Sequence, residues 1–433
     1  MKAIKFRLTV MNFLIFASWG AYLCSLGVYL GRVGMGANIG SFFAIQGIVS
    51  LFMPALMGIV ADRWIPAQKL LGICHLLSAL FISLAGFMGM KYGDGITFGK
   101  IFPFYALSVA FFMPTIALGN SVSYNALNKA GLDTVKAYPP IRVFGTIGFI
   151  VSMWIVNFTG FKNDYMQLFV SAIWSLILGV YAFTLPNCPT NPKKENESIV
   201  DAMGLRAFTL FKDAKMCIFF IFSFLLGMCL QVTNGFCTPY LDAFGKLPEY
   251  ADAFAVRNNV FLSSISQVSE TLCILLIPFF LRRFGIKKVM IIAFMAWFLR
   301  FALLGAGSPT GFGLVLFILS MIVYGVAFDF YNISGSLFVD QNTDESIRSS
   351  AQGVFMMMTN GLGATVGSFC AGAIVNHFTK VAGPDGGLVD IENVSELMAG
   401  WSTSWYIFAG FALAVGILFA IVFKYKHNPN AEQ

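Results

Sequence analysis

Four ionisable residues lie inside long apolar runs of this chain: Arg142, Glu270, Arg300 and Asp329. An ionised side chain at the centre of a bilayer costs about 2.5–3.5 kcal/mol or more, so each is a functional candidate by default. Two are acidic and two basic, and pairing would offset part of that cost. A carboxyl in apolar surroundings can hold a proton at neutral pH. Asp329 is the first candidate for a proton carrier and Glu270 the second.

Neighbouring residues give these charges a chemical context. Gln267 lies three positions before Glu270, on the same helical face. Tyr324 and Phe328 are four apart and share a face that Asp329 borders. A carboxylate beside aromatic faces suits a polar solute that contains a ring. Gln231 and Asn234 are three apart, and their amides both donate and accept, so they can read hydroxyls or the edge of a base. Hydrogen bonding between helices is the alternative reading of that pair. Arg142 follows Pro139 and Pro140, which either start a helix or kink one. In the first case Arg142 snorkels to water. In the second, Arg142, Thr146 and Phe149 form a donor–hydroxyl–aromatic stripe at i, i+4 and i+7. Arg300 either pairs with a carboxylate or reaches an interface, and is expected to be peripheral to the site.

The elements that hold these residues follow from composition. Of 433 residues, 58% are hydrophobic and 11% charged, and the mean hydropathy is +0.76. Soluble domains carry about 25% charged residues, so a soluble enzyme is excluded. The 47 phenylalanines exclude disorder. Apolar runs of about 20 residues match helices that cross a hydrocarbon core of about 30 Å. The expected spans are 8–30, 38–61, 69–90, 101–126, 137–160, 165–185, 216–237, 258–281, 287–306, 311–338, 348–377 and 401–424. The fold class is therefore an all-α membrane protein with twelve transmembrane helices in two six-helix bundles. Residues 1–185 form the first bundle, 186–215 a cytoplasmic central loop, and 216–433 the second bundle with a cytoplasmic tail. A short surface helix is expected at 204–211. Of the 28 basic residues, nineteen fall in segments that this topology puts in the cytoplasm and seven outside. The positive-inside rule thus supports both termini being cytoplasmic.

Several readings are excluded. The net charge of +7 flanks the spans and forms no patch for nucleic acid. The eight cysteines show no CxxC spacing, so neither a metal site nor a disulfide framework is expected. No Walker loop supports ATP-driven pumping, and no catalytic constellation marks an enzyme. Gly361, Gly363 and Gly367 lie in an apolar span and read as a helix-packing seam. His75 reads as a packing histidine with its hydrogen bonds satisfied.

The two halves echo each other. Gly58, Asp62 and Arg63 close span two, and Pro278, Arg282, Arg283, Gly285, Lys287 and Lys288 close span eight, 220 residues on from Gly58 to Pro278. Such a repeat is expected of a secondary transporter. The residues alone reach a transporter of a small polar solute containing a ring, with sugars and nucleosides both fitting. The first copy resembles the major facilitator loop motif G-x-x-x-D-R-x-G-R-R without its G-R-R end, and the second copy lacks the acidic residue. This motif implies a gating role for Asp62, Arg63 and Arg283.

Longer strings are more specific. FMPALMGIVADR at 52–63, PPIRVFGTIGF at 139–149, SISQVSETL at 264–272, FFLRRFGIK at 279–287, AFDFYNISG at 327–335 and AQGVFMMMTN at 351–360 resemble the bacterial nucleoside:H⁺ symporter family of the major facilitator superfamily. The resemblance covers nearly the whole chain. It implies proton-coupled nucleoside uptake across the bacterial inner membrane by alternating access. It implies a substrate site of Arg142, Thr146, Phe149, Gln231, Asn234, Gln267, Glu270, Tyr324, Phe328 and Asp329. Partners would be a purine or pyrimidine nucleoside such as uridine or adenosine, and membrane lipid. The chain is expected to act as a monomer, with no cofactor and the proton as coupling ion. In the coupling scheme, protonation of Asp329 or Glu270 weakens its pairing with Arg142, and nucleoside then binds. A proton-coupled transporter of a sugar or other small polar solute, with the same fold, is the alternative.

Overall fold

The computed structural model describes residues 2–190, 205–344, 347–384 and 386–425. Hydrocarbon offers backbone groups no partner, so apolar runs of this length close their own hydrogen bonds as helices. In chain order these are α1 (Lys2–Gly20), α2 (Leu26–Arg32), α3 (Ile39–Arg63), α4 (Ala67–Tyr92), α5 (Phe98–Lys129), α6 (Thr134–Phe158) and α7 (Met166–Ala182). After the central segment come α8 (Ala214–Ala243), α9 (Asn259–Ala306), α10 (Gly311–Gln341), α11 (Arg348–Met356), α12 (Ala364–Thr379) and α13 (Val394–Val422). Nine helical stretches among the described residues are long and apolar enough to cross a membrane, and Met166–Ala182 is a shorter apolar helix.

Each difference from the expected spans has a local cause. The first span is interrupted at 21–25. There Ser25 Oγ lies 3.2 Å from the Ala21 carbonyl oxygen and donates to Gln167 Oε1 at 2.8 Å, so the break is stabilised by side chains. Spans eight and nine run together as the 48-residue α9, broken by Gly285 at φ 72°. That left-handed conformation suits glycine, and it turns the chain without a loop. The proline pair Pro139–Pro140 lies inside α6, not at its start, because the helix begins at Thr134. Span twelve begins at Val394, where the Asn393 side chain accepts from the Ser395 and Glu396 backbone N–H groups. Asp213 caps α8 in the same way, accepting from Met216 N at 2.8 Å. The expected helix near 204–211 is a 3₁₀ segment over Leu205–Lys212. The central-loop residues 191–204 and the end of the tail, 426–433, lie outside the described residues.

The chain divides into two compact units, Met1–Asn38 with Ile45–Met203, and Ile39–Ala44 with Gly204–Gln433. In the first unit α1 packs along α6, where a Cβ on Gly148 would stand 2.2 Å from the Phe13 carbonyl oxygen. In the second unit the glycine seam packs as expected. A Cβ on Gly363 would stand 2.6 Å from the Phe224 carbonyl oxygen, and one on Gly367 would stand 2.2 Å from that of Met228. Between α11 and α12, residues Met357–Gly363 form a π-helix. The strands β1 (Lys380–Ala382) and β2 (Leu388–Asp390) pair antiparallel and place Lys380 opposite Asp390. The eight cysteines form no disulfide.

Candidate functional site

Three of the expected site residues lie in the first unit, on α6. The Arg142 guanidinium stacks over the Phe16 ring at 3.9 Å. This is a cation–π contact with α1, and it replaces the snorkelling reading. Thr146 is half-buried one turn on. Phe149 is 6% exposed and meets Trp19 edge to face at 6.0 Å. Phe16 and Trp19 were not singled out in the sequence; within a run as apolar as 8–30 they look like ordinary packing residues. Trp19 in turn packs on Phe112, which also receives the edge of His75. His75 is buried as expected, but neither ring nitrogen has a hydrogen-bond partner among the described residues. The satisfied-histidine reading is therefore corrected.

The other seven lie in the second unit. On α8, Asn234 Nδ2 donates to Gln231 Oε1 at 3.0 Å, so these amides join within one helix and not between helices. Gln231 is buried and Asn234 half-buried. On α9, Gln267 is buried and Glu270 half-buried. On α10, Tyr324 and Phe328 stack nearly parallel, with centroids 5.6 Å apart and planes 11° apart. Asp329 follows at 5% exposed. Helices α9 and α10 approach closely: Ser269 Oγ donates to the Ile322 carbonyl oxygen, and a Cβ on Gly325 would stand 2.6 Å from the Ser269 carbonyl oxygen.

Of the two readings of Arg300, the interfacial one is overturned. The residue reaches no interface and is 2% exposed. Its Nη1 donates to Ser266 Oγ at 3.2 Å and to the Ser320 carbonyl oxygen at 3.0 Å. Its guanidinium lies 4.4 Å from the Tyr324 ring centroid. The serines of 263–269 were the available signal, since small hydroxyl residues let helices approach and accept from a buried donor.

The expected gating residues sit at helix ends. Arg63 ends α3 beside the exposed Asp62, and Arg283 is exposed just before the Gly285 break. Carboxyl groups, amides and stacked aromatic rings are together the chemistry that can bind a flat, polar ring and hold a proton.

Known proteins are similar to this chain along nearly its whole length. The family described as "Nucleoside H+ symporter" matches residues 1–428. The Xanthosine permease of Escherichia coli K12 is 45% identical over 429 residues, which is 99% of this chain and 97% of that protein. The Nucleoside permease NupG of the same organism is 45% identical over 98% of this chain and 97% of its own length. A crystal structure of the nucleoside transporter NupG superimposes with a TM-score of 0.85, covering 98% of this chain and all of that one. The fold is accordingly that of a major facilitator transporter, and the chain belongs to the nucleoside H⁺ symporter family.

Proposed function

We propose that this protein carries nucleosides, purine or pyrimidine such as uridine or adenosine, together with protons across the bacterial inner membrane by alternating access. Membership in the family supports the activity. The observation that carries the site is Asp329, a carboxyl 5% exposed beside the stacked Tyr324–Phe328 pair. The aromatic pair offers faces to a base. Gln231, Asn234, Gln267 and Glu270 offer donors and acceptors to ring edges and ribose hydroxyls. Arg142, Thr146 and Phe149 on α6 are likewise assigned to substrate binding. Asp329 takes the proton, with Glu270 as the second choice. Removing a buried charge and binding a neutral solute are then linked by a reciprocal coupling free energy. Asp62, Arg63 and Arg283 act in gating.

The reading includes twelve spans in two six-helix bundles. A helix of 48 residues is about 72 Å long, more than twice the hydrocarbon thickness. Its break at Gly285 makes it two spans. Met166–Ala182 and the α1–α2 stretch supply the remaining two. Both termini are cytoplasmic by the positive-inside rule, and the protein acts as a monomer without a cofactor.

Labelled-nucleoside uptake into proteoliposomes, with and without an inward proton gradient, tests this function. Uptake of uridine or adenosine that rises with the gradient is expected. No uptake of any nucleoside would overturn the reading, and uptake blocked by sugars but not by nucleosides would favour a sugar transporter.

A further inference from the structure

Arg300 is a cation buried within a spanning helix, far from the role the sequence offered it. Helix packing alone does not require it. An apolar side chain of similar length would fill the space at lower desolvation cost. Two of its hydrogen bonds bear on the helices that carry the candidate site residues. Through Ser266 it holds the α9 stretch that carries Gln267 and Glu270, and through Ser320 it holds α10. Ser320 Oγ returns a hydrogen bond to the Arg300 carbonyl oxygen at 3.0 Å. The guanidinium then lies against Tyr324 at 4.4 Å, while Trp297 meets the same ring edge-on at 5.9 Å and 87°. Tyr324 in turn stacks on Phe328.

We infer that Arg300 is a positioning residue of the substrate site: it fixes the plane of Tyr324 and clamps the helix bearing Gln267 and Glu270 to the helix bearing Tyr324, Phe328 and Asp329. The inference rests on the proposal that Tyr324 and Phe328 line the nucleoside site. A guanidinium is suited to the task because it stacks on a ring and donates in its own plane at the same time. A desolvated cation–π contact of this kind resists ring rotation more than an apolar neighbour does.

The test is nucleoside uptake in proteoliposomes, together with direct binding to purified protein. Arg300→Met should raise KM about tenfold while the maximal rate per folded transporter stays within about threefold. Arg300→Gln should behave alike and decides the matter if the methionine variant does not fold. Arg300→Lys keeps a cation within reach of the ring but loses the planar fork, so it should lower KM only part of the way back from the Arg300→Met value. Tyr324→Leu should raise KM, and adding Arg300→Met to it should raise KM no further. Unchanged KM in Arg300→Met and Arg300→Gln, a rise that lysine does not reduce, or multiplying effects in the double variant would overturn the inference. Wild-type protein that binds no nucleoside would instead overturn the function itself, which keeps the two failures distinct.

Discussion

Asn234 Nδ2 donates to Gln231 Oε1 at 3.0 Å, one turn apart on α8. The bond uses one of the two acceptor sites of the Gln231 carbonyl and does not involve its NH₂ group. In the proposed site, Gln231 would act as a donor toward solute and Asn234 would keep its own carbonyl as an acceptor. Replacing Gln231 with Ala should raise the uptake KM about tenfold, the worth of about one good hydrogen bond. An analogue lacking the acceptor that Gln231 reads should lose affinity in wild type but not in Gln231→Ala. Equal losses in both would sink this assignment.

Asp329→Asn removes the proposed proton site and keeps the shape of the side chain. Uphill uptake driven by a proton gradient should fall to background, while counterflow exchange of nucleoside persists. Gradient-driven accumulation in this variant would remove Asp329 from coupling and leave Glu270.

Gly148→Ala tests the packing that presents the Arg142 stripe. The added Cβ would meet the Phe13 carbonyl oxygen at 2.2 Å. Helices α1 and α6 must separate, at a cost of about 1–3 kcal/mol. The melting temperature in detergent should fall, with a matching loss of Arg142-dependent binding. An unchanged melting temperature would contradict the close approach.

Asp390 on β2 lies 2.6 Å from Lys246 Nζ and also bonds its strand partner Lys380. Partial burial alone would raise its carboxyl, but Lys380 and Lys246 together hold it below its ordinary value. The folded-state value therefore lies below the unfolded one. The contribution to stability is full above about pH 4 and is lost as pH falls through the folded value. The gap in melting temperature between wild type and Asp390→Asn should be steady from about pH 5 to about pH 7 and should close in stronger acid. A gap that persists there would exclude the ionic origin.

Most of the architecture was legible because bilayer thickness sets a length scale that apolar runs must meet. Gly285 was visible only as a motif residue; its left-handed turn shows why spans eight and nine need no loop between them. The central residues stood out because charges and amides are rare in such runs. Three kinds of feature stayed hidden. Phe16 and Trp19 earn their place by what they touch, which composition does not reveal. The break at 21–25 depends on Gln167, which is distant in sequence. Arg300 reads as peripheral in the sequence because a buried charge does not tell which helices meet it, and the serines around it do.

The π-helical turn over Met357–Gly363 has a consequence for how span eleven is numbered by face. Its hydrogen bonds reach one residue further than those of an α-helix. The phase of the helix is shifted there, as though one residue had been inserted. Side chains of α12 thus stand out of step with those of α11, and no single helical wheel describes both. At and after the turn, Gly363 and Gly367 face α8 at Phe224 and Met228, whereas Gln352 before it donates to the Ser336 carbonyl oxygen on α10.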